Sequence, residues 1–389
     1  MRARLIKVLH VVHAFQTGGA ERVVLDLVRR GSPDVANFVC SLTVPNDLAA
    51  QLHRHGAPFQ CLHKRRGNDP AVVPRLARII RGSGIDVVHC QGWGTYLEGL
   101  VAAKLLAGSH PALIFAFHGK SIAEARCGIP LRQRLAQRAA CCFTDACVAP
   151  AQSMAADYAR SIGVRRERIR VIYNGVDTAR FTGLSGGAAL RESLGIGAGE
   201  FVVGFVGRLD PVKDVRGLVT TFSMFLRTQE RSGGAARLLV VGDGQEMPLA
   251  RRAAAELGTE SRVVFAGRRD DIDRCMGAMD VYLQPSLYEG HSLTLLEAMA
   301  SRLPVVSTAV GGTAEAVASG RNGYLHRPGD YAAMAASLAT LHHSPALRLL
   351  FGASGRRTVE ERFSVAAMVA GYERLYRELR QHPERRCAA

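Results

Sequence analysis

Short apolar runs rich in β-branched residues alternate with helical patterns, and this alternation occurs once in each half of the chain. In the first half the runs lie near residues 5–12, 37–43, 58–62, 86–90, 112–118 and 145–149. In the second half they lie near 201–206, 237–241, 262–265, 280–283, 304–307 and 323–326. Strands that alternate with helices predict parallel sheets covered by helices, and continuously apolar strands are typical of sheets buried on both faces. We therefore expect an α/β fold with two Rossmann-like, doubly wound parallel-sheet domains.

The chain length and a turn-rich segment place the boundary between these domains. Its 389 residues exceed the size of one typical core, which also favours two domains. The segment 182–187 is rich in glycine and polar residues and follows the first half. We expect an N-terminal domain over 1–180, a linker over 181–200 and a C-terminal domain over 201–362. A last helix, over 363–389, is expected to begin with Ser364 as its N-cap.

The net charge of +16 is concentrated in the first half. Residues 1–180 contain 25 Lys and Arg against 12 Asp and Glu, a net charge of +13. Such an excess indicates an anionic partner, for example phospholipid headgroups, a polyprenyl diphosphate or nucleic acid. The alternative is a genome that favours arginine, which leaves the asymmetry between the halves unexplained.

Composition and hydropathy point to a cytoplasmic protein. The nine cysteines lack zinc-ligand spacing, which is typical of a reducing compartment. No apolar run approaches the length needed to span a bilayer. The first apolar run is short and contains Lys7 and His10, so it indicates a buried strand rather than a signal peptide.

Two glutamates eight residues apart, Glu289 and Glu297, flank a short turn and the start of a helix-forming run. The first backbone N–H groups of a helix form an anion site that suits a diphosphate, and a carboxylate on the same helix suits ribose hydroxyls. The residues expected to line this site are Gly290, His291, Ser292, Leu293 and Thr294.

Other polar groups follow predicted strands, where the ligands of open α/β sheets bind. Gly18 and Gly19 open a helix after the first strand, as a phosphate-binding loop or as a plain tight turn. His118 follows the fifth strand, either as a structural residue or as a catalytic group. After Gly207, Arg208 and Lys213 supply two cations that can neutralise a departing diphosphate without a metal.

The sequence Asp271-Ile272-Asp273 matches an Asp-x-Asp pattern that can bind a divalent metal ion. Here it begins a short predicted helix, where acidic residues complement the helix dipole. We therefore expect a structural role for these two carboxylates, and no metal site.

Several of these motifs resemble those of one enzyme family. Tyr288-Glu289-Gly290-His291-Ser292, continued to Glu297, resembles the Glu-x7-Glu element of the retaining glycosyltransferases of family 4, also called group 1, which have the GT-B fold. The loop at Gly18-Gly19, the pair His118-Gly119 and the segment Gly207-Arg208 with Lys213 are similar to motifs of the same family. The resemblance covers nearly the whole chain.

The resemblance implies a role for each of these groups. The two domains would face a central cleft, and the C-terminal helix would cross back to the first domain. Gly18 and Gly19 would lie against the donor diphosphate, and His118 beside the reacting sugar. Arg208 and Lys213 would bind the leaving group. Glu289 would contact sugar hydroxyls and Glu297 the ribose. The chain departs from the family at Asp214, where glycine is usual after the lysine.

The implied activity is metal-independent transfer of a sugar from a UDP- or GDP-sugar, with retention, to an acceptor hydroxyl. The acceptor would be a lipid-linked glycan or a precursor of a surface polysaccharide, and no cofactor other than the donor is expected. One alternative is a nucleotide-sugar 2-epimerase on the same fold. It would need acid and base carboxylates in the N-terminal half, where few exist. The other is a nucleic-acid-binding protein, which the scarcity of aromatic residues disfavours.

A basic segment follows His118. Arg126, Arg132, Arg134 and Arg138 are interleaved with apolar residues, a pattern typical of a helix that lies on an anionic membrane surface or of an ordinary solvated helix. The first reading predicts a cytoplasmic enzyme that is peripheral on the inner face of the membrane.

Overall fold

The computed structural model describes residues 4–67, 69–106, 110–119, 124, 128–183, 186–229 and 235–381. These residues form two compact units. The first contains the described residues up to Asn174 and the helix Val365–Gln381, and the second is Gly175–Ser364. Each unit has its own sheet and its own core.

The first unit is built on a seven-stranded sheet in the order β3-β2-β1-β4-β5-β6-β7, with every neighbouring pair parallel. The central strands β1, β4 and β5 are almost wholly buried, as expected of a sheet covered on both faces. The strands are β1 (Ile6–Val12), β2 (Val35–Ser41), β3 (Phe59–Cys61), β4 (Val87–Gln91), β5 (Ala112–Ala116), β6 (Ala146–Ala149) and β7 (Ile169–Val171).

Helices cover both faces of this sheet. The last of them, Val365–Gln381, packs on helix Gly19–Arg30 and on β1, although it follows the second unit in sequence. Its buried Tyr376 accepts or donates a 2.9 Å hydrogen bond at Nδ1 of His89 in β4. The helices of the unit are Gly19–Arg30, Ala49–Arg54, Val72–Ser83, Trp93–Val101, Leu131–Cys142, Gln152–Ile162 and Val365–Gln381, with a π-helical turn at Ala102–Leu106 and a 3-10 turn at Arg166–Arg168.

The second unit has a six-stranded parallel sheet in the order β10-β9-β8-β11-β12-β13. Strands β8, β11 and β12 are adjacent, and their carboxyl ends carry the motifs Gly207-Arg208, Glu289 and Gly311-Gly312. The strands are β8 (Phe201–Val206), β9 (Ala236–Val241), β10 (Val263–Gly267), β11 (Val281–Gln284), β12 (Val305–Thr308) and β13 (Gly323–His326).

The helices of the second unit include one inside the segment expected to be a linker. Within 181–200, helix Gly187–Ser193 packs on helix Ile272–Gly277, and Arg191 donates to Asp280 Oδ2 at 2.8 Å. This helix is therefore part of the second unit. The helices are Gly187–Ser193, Val215–Gln229, Met247–Glu256, Ile272–Gly277, Leu293–Ala300, Thr313–Ala316, Tyr331–His343 and Pro345–Arg362, with 3-10 turns at Pro211–Lys213 and Glu260–Arg262.

No helix in the described part of the chain combines the length and the apolar character that crossing a bilayer requires.

Candidate active site

The start of helix Leu293–Ala300 is tied to the strands behind it by a network of hydroxyl groups. Ser292 is the N-cap residue: its Oγ accepts the amide of Leu295 at 3.3 Å and donates to Gln284 Oε1 at 2.9 Å. The buried Tyr282 hydroxyl lies 2.9 Å from Thr294 Oγ1 and 3.1 Å from the carbonyl oxygen of Val206. Burial raises the pKa of Tyr282 far above its usual range, so this hydroxyl stays protonated. The first amides of the helix are therefore held in a fixed position from which they can bind an anion.

Glu289 lies in the loop before this helix and is buried. Its Oε1 accepts two hydrogen bonds, one from Lys213 Nζ at 2.6 Å and one from Ser286 Oγ at 2.6 Å. Lys213 lies 76 residues earlier in the chain, after β8, so the fold brings together two residues that the sequence analysis assigned to different parts of the donor. The pair is a charge-assisted hydrogen bond of low solvent exposure.

The loop after β12 holds the backbone of Glu289 in place. Gly312 N donates to the carbonyl oxygen of Gly290 at 2.7 Å. At Gly311, φ is +51° and a Cβ atom would lie 1.8 Å from the carbonyl oxygen of Glu289. Only glycine fits there, because both the backbone conformation and the close approach exclude a side chain.

Asp214 occupies the position where the family usually has glycine, and it adopts the left-handed conformation that glycine would adopt (φ +51°). Aspartate tolerates this region better than most residues. Its carboxylate accepts the amide of Gly217 at 3.0 Å and the hydroxyl of Tyr331 at 2.7 Å. Burial, together with this hydrogen bond, raises the pKa of Tyr331 to about 12. The aspartate thus caps the following helix, while Lys213 pairs with Glu289.

Arg208 is placed differently from Lys213. It follows Gly207, whose amide donates to Val241 at the end of β9. The Arg208 side chain is 65% exposed and forms an ion pair with Asp210, two residues away. Of the two predicted cations, Lys213 is therefore held in a pair of low exposure, whereas Arg208 is exposed to solvent and pairs with a neighbouring residue in the chain.

Glu297 and His291 are both buried in this region. Glu297 lies on the same helix as Leu293 and Thr294, with the N-terminus of that helix one turn away. The His291 ring packs against Phe363, with 5.0 Å between ring centroids. Burial lowers the pKa of His291 to about 4, so the ring is neutral at physiological pH.

The Asp-x-Asp carboxylates each contact an arginine. Asp271 forms a two-point contact with Arg269, with both distances at 2.8 Å, and Asp273 lies 3.1 Å from Arg180. Across the described residues, no three His, Cys, Asp or Glu side chains are arranged to hold a metal ion.

In the first unit, Gly18 precedes the first helix and Gly19 is its first residue. The carboxylate of Glu21 folds back over this helix start: a Cβ atom on Gly18 would lie 2.3 Å from Glu21 Oε2. A Cβ atom on Gly19 would have no such neighbour within 4 Å. An acidic group at a helix N-terminus complements the helix dipole, and here it lies where the resemblance places a phosphate.

His118 follows β5, and its Nε2 lies 2.5 Å from Oε1 of Gln91, the last residue of β4. Burial lowers the pKa of His118 to about 4. Gln91 was not among the site residues predicted from the sequence. The available signal was a polar residue at the end of the strand that precedes the strand of His118 in the chain.

The basic segment forms the helix Leu131–Cys142, and Arg126 lies outside the described residues. Leu131 and Leu135 are 65% and 55% exposed, and Arg132, Arg134 and Arg138 are exposed beside them. The helix therefore presents apolar and basic side chains together to solvent.

Comparison with known proteins identifies the family. The profile described as Glycosyltransferase Family 4 matches residues 17–180, and that described as Glycosyl transferases group 1 matches residues 200–344. Over 320 residues the chain is 31% identical to the D-inositol 3-phosphate glycosyltransferase of Acidothermus cellulolyticus, covering 78% of this chain and 70% of that protein.

Two further similarities extend over almost the full length. The chain is 24% identical over 379 residues to the UDP-Gal:alpha-D-GlcNAc-diphosphoundecaprenol alpha-1,3-galactosyltransferase of Escherichia coli, covering 95% of this chain and 96% of that enzyme. Its fold matches Anabaena HepE, solved in complex with UDP-glucose, with a TM-score of 0.84 and 23% identity over 96% of this chain and 100% of HepE. The prediction of two doubly wound parallel-sheet domains of GT-B type is confirmed. With both halves matched in order and this site in the second, the chain belongs to the group 1, family 4 glycosyltransferases.

Proposed function

We propose that this glycosyltransferase moves a sugar from a UDP- or GDP-sugar to an acceptor hydroxyl with retention of anomeric configuration. The observation that carries the proposal is the Lys213–Glu289 pair beside the capped start of helix Leu293–Ala300. Lys213 and the first amides of this helix suit a diphosphate, and the fixed carboxylate of Glu289 suits sugar hydroxyls.

The reaction breaks the bond between the anomeric carbon and a diphosphate oxygen, and it forms a bond from that carbon to the acceptor oxygen. The acceptor proton passes to the departing diphosphate oxygen on the same face of the sugar. Lys213, Arg208 and the amides at Leu293 and Thr294 stabilise the charge that develops on the leaving group. Glu289, which Lys213 and Ser286 hold in place through its Oε1, orients the sugar by accepting hydrogen bonds from its hydroxyls.

We also propose that the reaction needs no metal. The positive charge that a metal would bring to the diphosphate is supplied by Lys213 and Arg208. The carboxylates of the Asp-x-Asp sequence are engaged by Arg269 and Arg180.

Two relatives support a nucleotide-sugar donor. HepE was solved with UDP-glucose, and the name of the E. coli relative specifies UDP-Gal. Both names carry uridine, so UDP-sugars are the first donors to test here.

The acceptor that we propose is a lipid-linked glycan at the inner face of the membrane. The E. coli relative acts on a diphosphoundecaprenol-linked sugar. In this chain, the net charge of +13 over residues 1–180 and the exposed helix Leu131–Cys142 suit an anionic lipid surface.

The test is incubation with a panel of UDP- and GDP-sugars, with and without a polyprenyl-diphosphate-linked sugar as acceptor. We expect acceptor-dependent release of nucleoside diphosphate and a glycosylated lipid in which the anomeric configuration is retained. The Lys213→Ala variant is the catalytic control. Interconversion of the donor sugar without transfer would show an epimerase instead, and an inverted product would contradict the mechanism.

A further inference from the structure

The side chains of Gln91 and His118 meet on one face of the first sheet. Gln91 is the last residue of β4 and pairs with Ala116 in β5. His118 lies two residues after Ala116, and side chains two residues apart in extended chain point to the same face. Gln91 Oε1 therefore reaches His118 Nε2, at 2.5 Å.

The backbone around His118 is held independently of this contact. The ring of Phe117 stacks on Tyr158 with 4.0 Å between centroids, and the Tyr158 hydroxyl donates to the carbonyl oxygen of Gly119 at 2.6 Å. With the backbone fixed on both sides, the remaining freedom of His118 is the rotation and protonation of its imidazole. The hydrogen bond to Gln91 restricts both the rotation and the protonation of the ring. Gln91 is itself held in place, because only 7% of it is exposed.

A carbonyl oxygen can only accept hydrogen bonds, so the ring nitrogen that faces it carries the proton. In a neutral imidazole the other nitrogen, Nδ1, is then an acceptor. We propose that Gln91 is a positioning residue that holds His118 as the Nε2–H tautomer, so that Nδ1 accepts a hydrogen bond from a sugar hydroxyl. This inference rests on the proposed function for the role of His118 toward substrate, and its structural part stands without it.

The surroundings of His118 favour a neutral ring. Burial lowers its pKa to about 4, so the ring is neutral at physiological pH. His89, two residues before Gln91 in β4, is fully buried, and its pKa lies well below the usual range because of that burial. Tyr158 comes from the helix packed on β6. A glutamine adds no charge here, whereas a glutamate would favour the imidazolium.

The tautomer can be read directly by NMR of protein labelled with ¹⁵N in the histidine rings. The His118 signals are assigned by their loss in His118→Asn. We expect the wild type to show the pattern of an Nε2–H imidazole, and Gln91→Leu to show a mixture of both tautomers. Gln137→Leu, which removes another buried glutamine of the first unit, is the control and leaves the pattern unchanged. An Nδ1–H pattern in the wild type would overturn the inference.

Kinetics then tests the consequence for the reaction. Gln91→Leu should lower kcat by about tenfold or more while the KM for donor changes little, because the ring loses its orientation. Gln91→Glu should keep the ring in place and raise the pKa of His118, so that the acid limb of the kcat profile moves to higher pH. Thermal unfolding of each variant confirms that it is folded.

The two hypotheses fail in different ways. Full activity in His118→Ala would refute the proposed role of His118, whatever the tautomer. A strong loss in His118→Ala, with an unchanged NMR pattern and kcat in Gln91→Leu, would refute the role of Gln91 and leave the proposed function intact.

Discussion

At the scale of single residues, the site depends on which partner each charged side chain has. Lys213 and Glu289 neutralise each other in a pair of low exposure, whereas Arg208 lies in solvent beside Asp210. A diphosphate that binds at the helix start would compete with Glu289 for Lys213. Glu289 would then be released toward the sugar hydroxyls, so donor binding and sugar orientation are expected to be linked through one ion pair.

The two glutamates should therefore have different kinetic effects. Glu297→Gln should weaken nucleoside diphosphate binding, because it loses a charged contact to the ribose. Glu289→Gln should lower turnover without weakening nucleotide binding, because Lys213 loses the carboxylate that competes with the diphosphate. Calorimetric titration with UDP and initial-rate kinetics measure the two quantities. Negligible changes in UDP affinity and turnover in both variants would contradict the roles proposed for Glu289 and Glu297.

Lys213→Ala should lower kcat by roughly a hundredfold or more, because the charge on the leaving diphosphate loses its buried cation. The same assay in EDTA should give nearly wild-type rates. Loss of activity in EDTA that Mn²⁺ restores would refute the metal-independent mechanism and direct attention to Asp271 and Asp273.

At the scale of secondary-structure elements, the loop before helix Val215–Gln229 shows how a sequence departure is accommodated. Asp214 takes up the left-handed backbone of a glycine and adds two hydrogen bonds that glycine lacks, to Gly217 and Tyr331. Gly217 makes this possible, since a Cβ atom there would lie 2.2 Å from Asp214 Oδ2.

Asp214→Gly should relieve the backbone strain but lose the helix cap, and the second effect should dominate. We expect a loss of about 1 kcal/mol in the free energy of unfolding of the second unit. Asp214→Asn keeps the hydrogen-bonding geometry and is the matched control. Urea unfolding monitored by circular dichroism measures both, and greater stability in Asp214→Gly would contradict the capping role.

The helix Leu131–Cys142 is the element that we expect to contact lipid. Changing Arg132, Arg134 and Arg138 to serine should weaken sedimentation with anionic liposomes, since each basic residue near the surface contributes about 1 kcal/mol. Binding should also fade as salt rises, because salt screens the attraction. UDP affinity should stay unchanged.

Three exposed arginines elsewhere in the first unit, Arg78, Arg81 and Arg165, provide the control. Replacing them with serine removes the same charge and should reduce liposome binding less. An equal reduction would show that the net charge acts rather than this helix. Absence of binding at any salt would make a soluble acceptor the better hypothesis.

At the scale of the whole molecule, buried histidines make the fold sensitive to acid. Burial lowers the pKa of His10, His89 and His118 in the first unit and of His291, His326 and His342 in the second. Each unfolded histidine binds a proton near its usual pKa of about 6.5, whereas the folded ring stays neutral. The stability that these neutral rings contribute is therefore complete above about pH 6.5 and is lost as the pH falls toward 4.

We expect the first unit to unfold at lower urea concentration at pH 5 than at pH 7.5. The single tryptophan, Trp93, lies in the first unit, so its fluorescence reports that transition. His89→Phe should reduce the difference between the two pH values, and the exposed His63→Asn is the control. An unchanged Trp93 transition between the two pH values would contradict the prediction.

The sequence by itself determined the secondary structure and the order of the motifs. Of the twelve predicted runs, those of β8 and β13 have the observed bounds, and the other ten begin and end within two residues of the observed strands, because apolar periodicity and glycine-rich turns are local signals. The start of helix Leu293–Ala300 could be predicted for the same reason. The resemblance supplied the class of enzyme, which the family match confirms.

Only the tertiary structure decided which side chains meet. Lys213 and Glu289 are 76 residues apart, Asp214 and Tyr331 are 117 apart, and Gln91 and His118 are 27 apart. These pairings depend on strand order and on loop conformation, which bring together residues that no local pattern relates. The last helix belongs to the first unit for the same reason: its apolar face is buried by packing against β1 and helix Gly19–Arg30, whatever its place in the chain.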